Sequence, residues 1–284
     1  MQRIKLAFDA AGYGRPAWTW EYLRCNPAFR EFFAGTATVP IKPLSPRSTL
    51  RVIEPHAHTE WFLQWGLAFA RSPDLPFPRA EVFWDAAADP SVLSVSLHRA
   101  KSWPGTKVDV IDFAKVPATV TVLRLETGHE YLRIAQGPYA IQLHVKDGSA
   151  LHGPVTISSH INGYTGRLKS LTQQRLFAFC RTHEFQRSLF SNKKDQLRTD
   201  RWSLALQVLD MRRQGISETK IEEILYGKVQ KNESDWRRSR VKRLVETGRR
   251  YADGGHLKIL TSGDRVATRK TRGRFHSPDF IKPS

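Results

Sequence analysis

Between residues 236 and 252, arginine and lysine recur at a spacing that would gather them on one side of a helix. At about 100° per residue, the opposite side of that helix is apolar. Its members are Val241, Leu244, Val245, Gly248, Tyr251 and Ala252. The basic side holds Ser239, Lys242, Arg243, Glu246 and Arg250, with Arg238 and Arg249 at its edge and Arg237 nearer the apolar side. Such a helix packs on a protein core through one face and offers hydrogen-bond donors to phosphates and base edges through the other.

Three predicted helices would position this basic face. Apolar periodicity predicts a helix over 201–213, a short helix between Ser217 and Gly227, and a long helix from about Ser234 to Ala252. A helix, a short helix and then a basic helix make up the plan of a helix-turn-helix DNA-binding domain.

The connection at 226–233 is about twice as long as the usual three- to four-residue turn, so the predicted domain is a variant of that plan. In such folds the first residues of the second helix reach the bases. The residues predicted to bind DNA are Lys231, Arg237, Arg238, Ser239, Lys242, Arg243, Arg249 and Arg250. The alternative interpretation of the same residues is a solvated basic face on a bundle helix.

The distribution of charge indicates an anionic partner for the C-terminal part. The chain has 284 residues and a net charge of +18. Residues 161–284 hold 28 Lys and Arg against 13 Asp and Glu, whereas residues 1–160 hold 17 against 14. A dedicated nucleic-acid-binding domain concentrates positive charge in this way. Double-stranded DNA is therefore the predicted partner, and a basic, disordered tail at 263–284 is expected to add nonspecific affinity.

Cysteine usage and hydropathy predict a reduced, aqueous compartment. Cys25 and Cys180 lie in separate apolar stretches, and no CxxC pair is present. No apolar run approaches the roughly 18 residues that a membrane span requires. We therefore expect a cytoplasmic, nucleoid-associated protein that does not contact a membrane.

The whole chain is predicted to be an α+β protein with four segments. Residues 1–90 are expected to form an N-terminal helical docking module, because helical spacing at 16–34 is interrupted only at Asn26-Pro27. Period-two alternation at 91–162 predicts a small antiparallel β meander of about five strands. The helix-turn-helix domain at 163–262 and the tail at 263–284 complete the chain.

The C-terminal domain resembles a family known from proteobacterial mobile elements. The resemblance covers residues 202–260 and is carried by Leu225-Tyr226-Gly227, Asp235-Trp236, Arg243-Leu244-Val245 and Gly254-Gly255. That family is understood as an extended-turn helix-turn-helix, which accounts for the long connection. A second, N-terminal resemblance lies in Trp20-Glu21-Tyr22-Leu23-Arg24, Asn26-Pro27 and Phe29-Arg30. A chain with both modules is similar to FseA-type activators of excision and transfer of conjugative elements.

This resemblance implies roles for both modules. The chain would be a sequence-specific activator of excision and transfer genes, acting with RNA polymerase. The N-terminal module would dock on the face of the C-terminal domain that does not bind DNA, through Trp20, Tyr22, Leu23 and Phe29. In the family, an acidic single-domain antiactivator captures that module, and the resemblance implies such a partner here.

Two other classes of protein remain open. A protein-interaction adaptor or antiactivator would be expected to lack the N-terminal module and to be acidic, unlike this chain. An RNA-binding protein could stack bases on the predicted strands, but no aromatic RNP-like motif is present. A salt titration with DNA and RNA competitors would separate these classes.

Catalytic and metal chemistry are not predicted. His56, His58 and Glu60 alternate as metal ligands could, but no second cluster completes a site at a recognisable spacing. The chain has no phosphate-binding glycine loop and no nucleophile-elbow motif. We therefore expect no enzyme activity, no metal and no cofactor.

Overall fold

The computed structural model of the chain describes residues 13–35, 41–43, 49–54, 62–70, 72–99, 110–137, 139–159, 166–190, 193–227 and 234–262. Three sequence predictions lie outside these residues. They are the DNA-binding role of Lys231, the metal-ligand alternative at 56–60 and the disordered tail at 263–284.

Two short helices near the N-terminus confirm the interpretation of residues 16–34. Helix α1 is Arg15–Leu23 and helix α2 is Pro27–Ala34. Pro27 occupies the first turn of α2, where the missing N–H costs nothing. Asn26 caps α2, because its side-chain oxygen accepts a hydrogen bond from the Phe29 amide at 3.0 Å.

The N-terminal part is not purely helical, so that part of the fold prediction is wrong. It contains strands β1 (Ile41–Pro43), β2 (Leu50–Ile53), β3 (Leu67–Phe69) and β4 (Phe83–Trp84), and a short helix α3 (Phe77–Ala80). Strands of two to four residues are too short to show a period of two. They form because β2 pairs with a distant strand and β3 pairs with β4, and sequence periodicity reports neither event.

The main sheet has eight strands and is mixed rather than a simple antiparallel meander. The later strands are β5 (Leu93–Arg99), β6 (Val110–Ile111), β7 (Thr119–Arg124), β8 (Glu130–Gln136), β9 (Tyr139–Asp147) and β10 (Val155–Ser159). Their order is β1-β2-β7-β8-β9-β5-β10-β6. The run β7-β8-β9 is antiparallel, as predicted, but β2 pairs with β7 and β5 pairs with β9 in parallel.

In the described part of the chain, five α-helices follow the sheet. Helix α4 is Arg167–Thr182, α5 is Lys193–Arg213, α6 is Glu218–Tyr226 and α7 is Ser234–Arg250. A π-helical turn at Tyr251–Gly255 then leads into α8, Leu257–Leu260. The bounds of α6 and α7 are close to those predicted from apolar periodicity and the Ser217 cap.

The two faces of the sheet belong to different cores. One face packs on α4, where Leu176 and Phe179 are buried with strand residues such as Val122 and Leu143. The other face contributes Ile53, Leu123 and Tyr131 to a second core, shared with the N-terminal and C-terminal helices. The helical members of that core include Trp18, Trp20, Tyr22, Leu23, Phe29, Trp202, Leu206, Leu209, Ala252 and Ile259. Since each large apolar side chain contributes about 1.5–3 kcal/mol when buried, this second core ties the two ends of the chain together.

A third core joins α5, α6 and α7. It consists of Ala205, Val208, Ile221, Val241, Leu244 and Val245. Helices α5 and α7 approach closely at Gly248, where an added Cβ would lie 2.7 Å from the Ala205 carbonyl oxygen. The three helices therefore form a compact unit in which α5 and α6 hold α7 in place from one side only.

Candidate nucleic-acid interface

Helix α7 buries its apolar side and exposes its basic side. Val241, Leu244, Val245 and Gly248 are buried. The exposed residues from Arg238 onward are Arg238, Ser239, Arg240, Lys242, Arg243, Glu246, Arg249 and Arg250. With 17 residues, the helix is about 25 Å long, and an α-helix fits the major groove of B-DNA.

The cations of this exposed face are available to a partner. Among the residues that the structure describes, no ion pair joins Arg238, Lys242 or Arg249 to a carboxylate. Arg243 donates from Nε to the Ser239 carbonyl at 3.2 Å, and the residue is exposed. Unpaired cations aligned on one helix create the positive potential that attracts a polyanion.

The predicted DNA-binding residues divide into two groups. Arg238, Ser239, Lys242, Arg243, Arg249 and Arg250 lie together on the exposed face of α7. Arg250 is also stacked on the Tyr251 ring, with Cζ 5.2 Å from the ring centroid. Arg237 lies apart, because it is half-buried and donates from Nη1 to the Tyr226 carbonyl at 3.3 Å.

Arg240 is exposed near the N-terminal end of α7, and the residues predicted to bind DNA do not include it. Its guanidinium carbon lies 5.8 Å from the Tyr226 ring centroid. Arg240 comes four residues before Leu244, so a helical wheel assigns it to the apolar side. Arg240 is nevertheless exposed, whereas its neighbour Val241 is buried.

Short-range contacts set the geometry of α6 between the two longer helices. Ser217 caps α6 by accepting a hydrogen bond from the Lys220 amide at 3.3 Å. Arg212 closes the turn before α6, because its Nη1 donates to the Ile216 carbonyl at 2.7 Å. These contacts orient α6 so that Ile221 enters the core shared with α5 and α7.

The four predicted docking residues are fully buried within the chain itself. Trp20, Tyr22, Leu23 and Phe29 each have 0% exposure. The Tyr22 hydroxyl donates to the Trp202 carbonyl on α5 at 2.7 Å, and the Tyr22 ring lies 5.2 Å from the Tyr251 ring. Burial raises the pKa of Tyr22, so this hydroxyl remains a donor.

Further polar contacts join the N-terminal part of the chain to the C-terminal domain. The Asn26 amide donates to the Ala252 carbonyl at 2.7 Å, and Arg213 donates to the Cys25 carbonyl at 2.6 Å. His256 lies against the Trp65 carbonyl at 3.4 Å, and burial lowers its pKa to about 4. The N-terminal helices thus dock beside α5 and the end of α7 and leave the basic face of α7 uncovered.

The described part of the chain offers little that would serve metal binding, disulfide formation or the spanning of a membrane. Within it, no group of three or more His, Cys, Asp and Glu side chains is arranged to hold a metal ion. Cys25 and Cys180 are free thiols. Within the same ranges, no helix combines the length and the apolar character that crossing a membrane requires.

Comparison with known proteins identifies the character of the C-terminal domain. Residues 162–261 match the family RovC_DNA-bd, whose description is "T6SS, Transcription factor, DNA binding domain". No curated protein sequence matches the chain. The family match covers α4 to α8 and includes the whole basic face of α7. It supports a DNA-binding regulator domain without singling out the FseA-type family. The C-terminal domain is therefore similar to the DNA-binding domain of a transcription factor, with DNA as its partner.

Proposed function

We propose that this protein is a sequence-specific transcriptional regulator that inserts α7 into the major groove of double-stranded DNA. The observation that carries the proposal is the unpaired basic face of α7, which lies within a domain that matches a transcription-factor family. Arg238, Ser239 and Lys242, near the start of α7, would reach base edges. Arg249 and Arg250, at its end, would bind phosphates and hold the register.

The proposal extends to the direction of regulation and to the target genes. The resemblance to FseA-type proteins favours an activator of excision and transfer genes in a mobile element. The description of the matched family names T6SS instead, which offers a second set of target promoters. In either case the N-terminal module would contact RNA polymerase. Its aromatic docking residues are buried, so an antiactivator that captures them would have to separate the module from α5.

A binding experiment with matched charge variants tests the DNA-binding role. The test variant is Arg238→Glu/Lys242→Glu, on the basic face. The control is Arg99→Glu/Lys146→Glu, which changes the net charge equally at exposed positions of β5 and β9. Affinities would be measured by mobility shift on the promoter upstream of the protein's own gene and on scrambled DNA of equal length, over a salt series.

The outcomes separate specific recognition from a general basic surface. We expect the wild type and the control to prefer the promoter, and the α7 variant to lose both the preference and most of its affinity. Removing two phosphate or base contacts from a basic face weakens binding steeply, because each phosphate contact contributes about 0.9 to the slope of log K against log salt. Retained promoter binding by the α7 variant would refute the assignment of this helix. An equal loss in the control would show that only total charge matters.

A further inference from the structure

The two ends of the extended turn are held together by an aromatic and arginine cluster. Tyr226 ends α6, and Trp236 lies in the first turn of α7. Their ring centroids are 5.5 Å apart at an interplanar angle of 58°. We call the four residues Tyr226, Trp236, Arg237 and Arg240 the turn clamp.

Two arginines of α7 fasten this contact. Arg237 donates to the Tyr226 carbonyl, and its guanidinium carbon lies 5.8 Å from the Tyr226 ring and 5.6 Å from the Trp236 ring. Arg240 also lies over the Tyr226 ring, with its guanidinium carbon 5.8 Å from the centroid. An arginine plane stacked on aromatic rings is held by both electrostatic and packing forces. The hydrogen bond from Arg237 to the Tyr226 carbonyl adds a directional constraint that a lysine could not reproduce with the same geometry.

The ring of Tyr226, rather than its hydroxyl, makes these contacts. The Tyr226 hydroxyl oxygen is buried and has no hydrogen-bond partner among the described residues. Trp236, in contrast, is 49% exposed, so its indole packs on Tyr226 with one side and meets solvent with the other. The clamp therefore predicts that phenylalanine can replace Tyr226 and alanine cannot.

The clamp controls the end of α7 that would read bases. The core contacts of α7 are centred on Val241, Leu244 and Val245. Arg238 lies six residues before Leu244, which is about 9 Å along the helix axis. A tilt of about 10° at the core would displace Arg238 by about 1.5 Å, which exceeds the roughly 0.5 Å tolerance of a working recognition site. Contacts at Tyr226 and Trp236 oppose that tilt directly.

We propose that the turn clamp consists of positioning residues that set the base-reading geometry of α7, and that Arg237 acts through Tyr226 and Trp236 rather than by contacting DNA. The inference rests on the proposed function and deepens it. Specificity should then depend on the clamp, while the number of phosphate contacts should not.

Four variants separate positioning from direct contact. Tyr226→Phe keeps the ring, Tyr226→Ala removes it, and Arg237→Lys keeps the charge but not the fork. Arg249→Ala serves as a phosphate-contact control, since Arg249 is exposed at the far end of α7. Each protein would be titrated with promoter and scrambled DNA over a salt series. Amide hydrogen exchange on the free protein would report the order of the first turns of α7, and thermal melting would report the fold.

We expect Tyr226→Phe to match the wild type. Tyr226→Ala and Arg237→Lys should lower the ratio of promoter to scrambled affinity by about tenfold or more, as expected for misplaced base contacts, with an unchanged salt slope. Their amides at 235–240 should exchange faster than in the wild type. Arg249→Ala should weaken both DNAs equally and reduce the slope by about 0.9.

Three results would overturn the inference, each in a different way. A defect in Tyr226→Phe equal to that in Tyr226→Ala would assign the role to the hydroxyl. Normal specificity in Arg237→Lys, together with a salt slope reduced by about 0.9 in a fifth variant, Arg237→Ala, would make Arg237 a phosphate ligand. Unchanged hydrogen exchange in Tyr226→Ala would show that the cluster does not order α7. Equal binding of promoter and scrambled DNA by the wild type would instead refute the proposed function, and the exchange data would still decide whether the clamp orders the helix.

Discussion

Asn26 makes two hydrogen bonds whose loss should be measurable as reduced stability. Its side-chain oxygen caps α2 through the Phe29 amide at 3.0 Å, and its side-chain nitrogen donates to the Ala252 carbonyl at 2.7 Å. The residue is 7% exposed, so water does not replace either partner easily. Asn26→Ala removes both bonds at once and leaves the Ala252 carbonyl buried without this donor.

The expected loss follows from the two bonds. Replacing a helix-capping residue by alanine costs about 1 kcal/mol, within a range of about 0.5–2. A buried group left without its hydrogen-bond partner costs about 1–3 kcal/mol. The free energy of unfolding of Asn26→Ala should therefore fall by about 2–4 kcal/mol. Asn26→Asp keeps the cap and replaces the second bond by a repulsive contact, because aspartate caps helices as well as asparagine does but cannot donate to Ala252 when ionised.

Urea unfolding followed by far-ultraviolet circular dichroism measures both losses. Gln214→Ala provides a surface control, because Gln214 directly follows α5, is exposed, and donates from its side-chain amide to exposed Asp210 on that helix. That variant should lie within about 0.5 kcal/mol of the wild type. If Asn26→Asp were as stable as the wild type at neutral pH, the bond to Ala252 would contribute nothing. The docking of α2 on the C-terminal domain would then rest on apolar burial, including that of Phe29, rather than on this bond.

Two further predictions concern the packing of α7 and a buried histidine. Gly248→Ala should destabilise the protein by about 1–3 kcal/mol and weaken DNA binding, because the added Cβ would lie 2.7 Å from the Ala205 carbonyl oxygen. On a helix without such a neighbour, the same change would stabilise by up to about 1 kcal/mol. A gain in the free energy of unfolding would therefore refute the close contact. His256 packs on the Trp65 carbonyl and has a folded pKa of about 4, against an ordinary value of 6.5. The contribution of neutral His256 to the free energy of unfolding is therefore complete above pH 6.5 and is lost as the pH falls toward 4. Relative to His256→Gln, the free energy of unfolding of the wild type, measured with urea, should fall by about 3 kcal/mol over that pH range. An equal dependence of this free energy on pH in the two proteins would contradict the prediction. Asp89, whose pKa burial raises to about 6, acts in the opposite direction but equally in both proteins.

Local signals explain why parts of the fold could be predicted from the sequence. Asn26-Pro27 and Ser217 mark helix starts through their own backbone and side-chain chemistry, and the structure places α2 and α6 there. The alternation in β7, β8 and β9 is equally local, because each hairpin joins neighbouring segments. The parallel pairing of β2 with β7 leaves no such signal, since each residue pairs with a partner 70 residues away.

The candidate site divides in the same way. A helical wheel predicts which side of α7 is buried, because Val241, Leu244 and Val245 follow the helical period and are buried. It places Arg237 near the apolar side, but it does not show that Arg237 and Arg240 contact Tyr226 across the extended turn. Periodicity describes one helix at a time, whereas the path of a turn decides which residues of two helices meet.

The contacts between the two ends of the chain also determine when the protein can finish folding during synthesis. Tyr22 and Trp202 are 180 residues apart, and Asn26 and Ala252 are 226 apart. At about 5–20 residues per second, the ribosome needs on the order of 10–50 s to make the partners of α1 and α2. Throughout that interval the aromatic side chains of these helices lack the part of their core that Trp202, Leu206 and Ala252 supply. The nascent chain should therefore depend on chaperones more than a protein of similar size whose contacts are local, and slow translation should increase its aggregation.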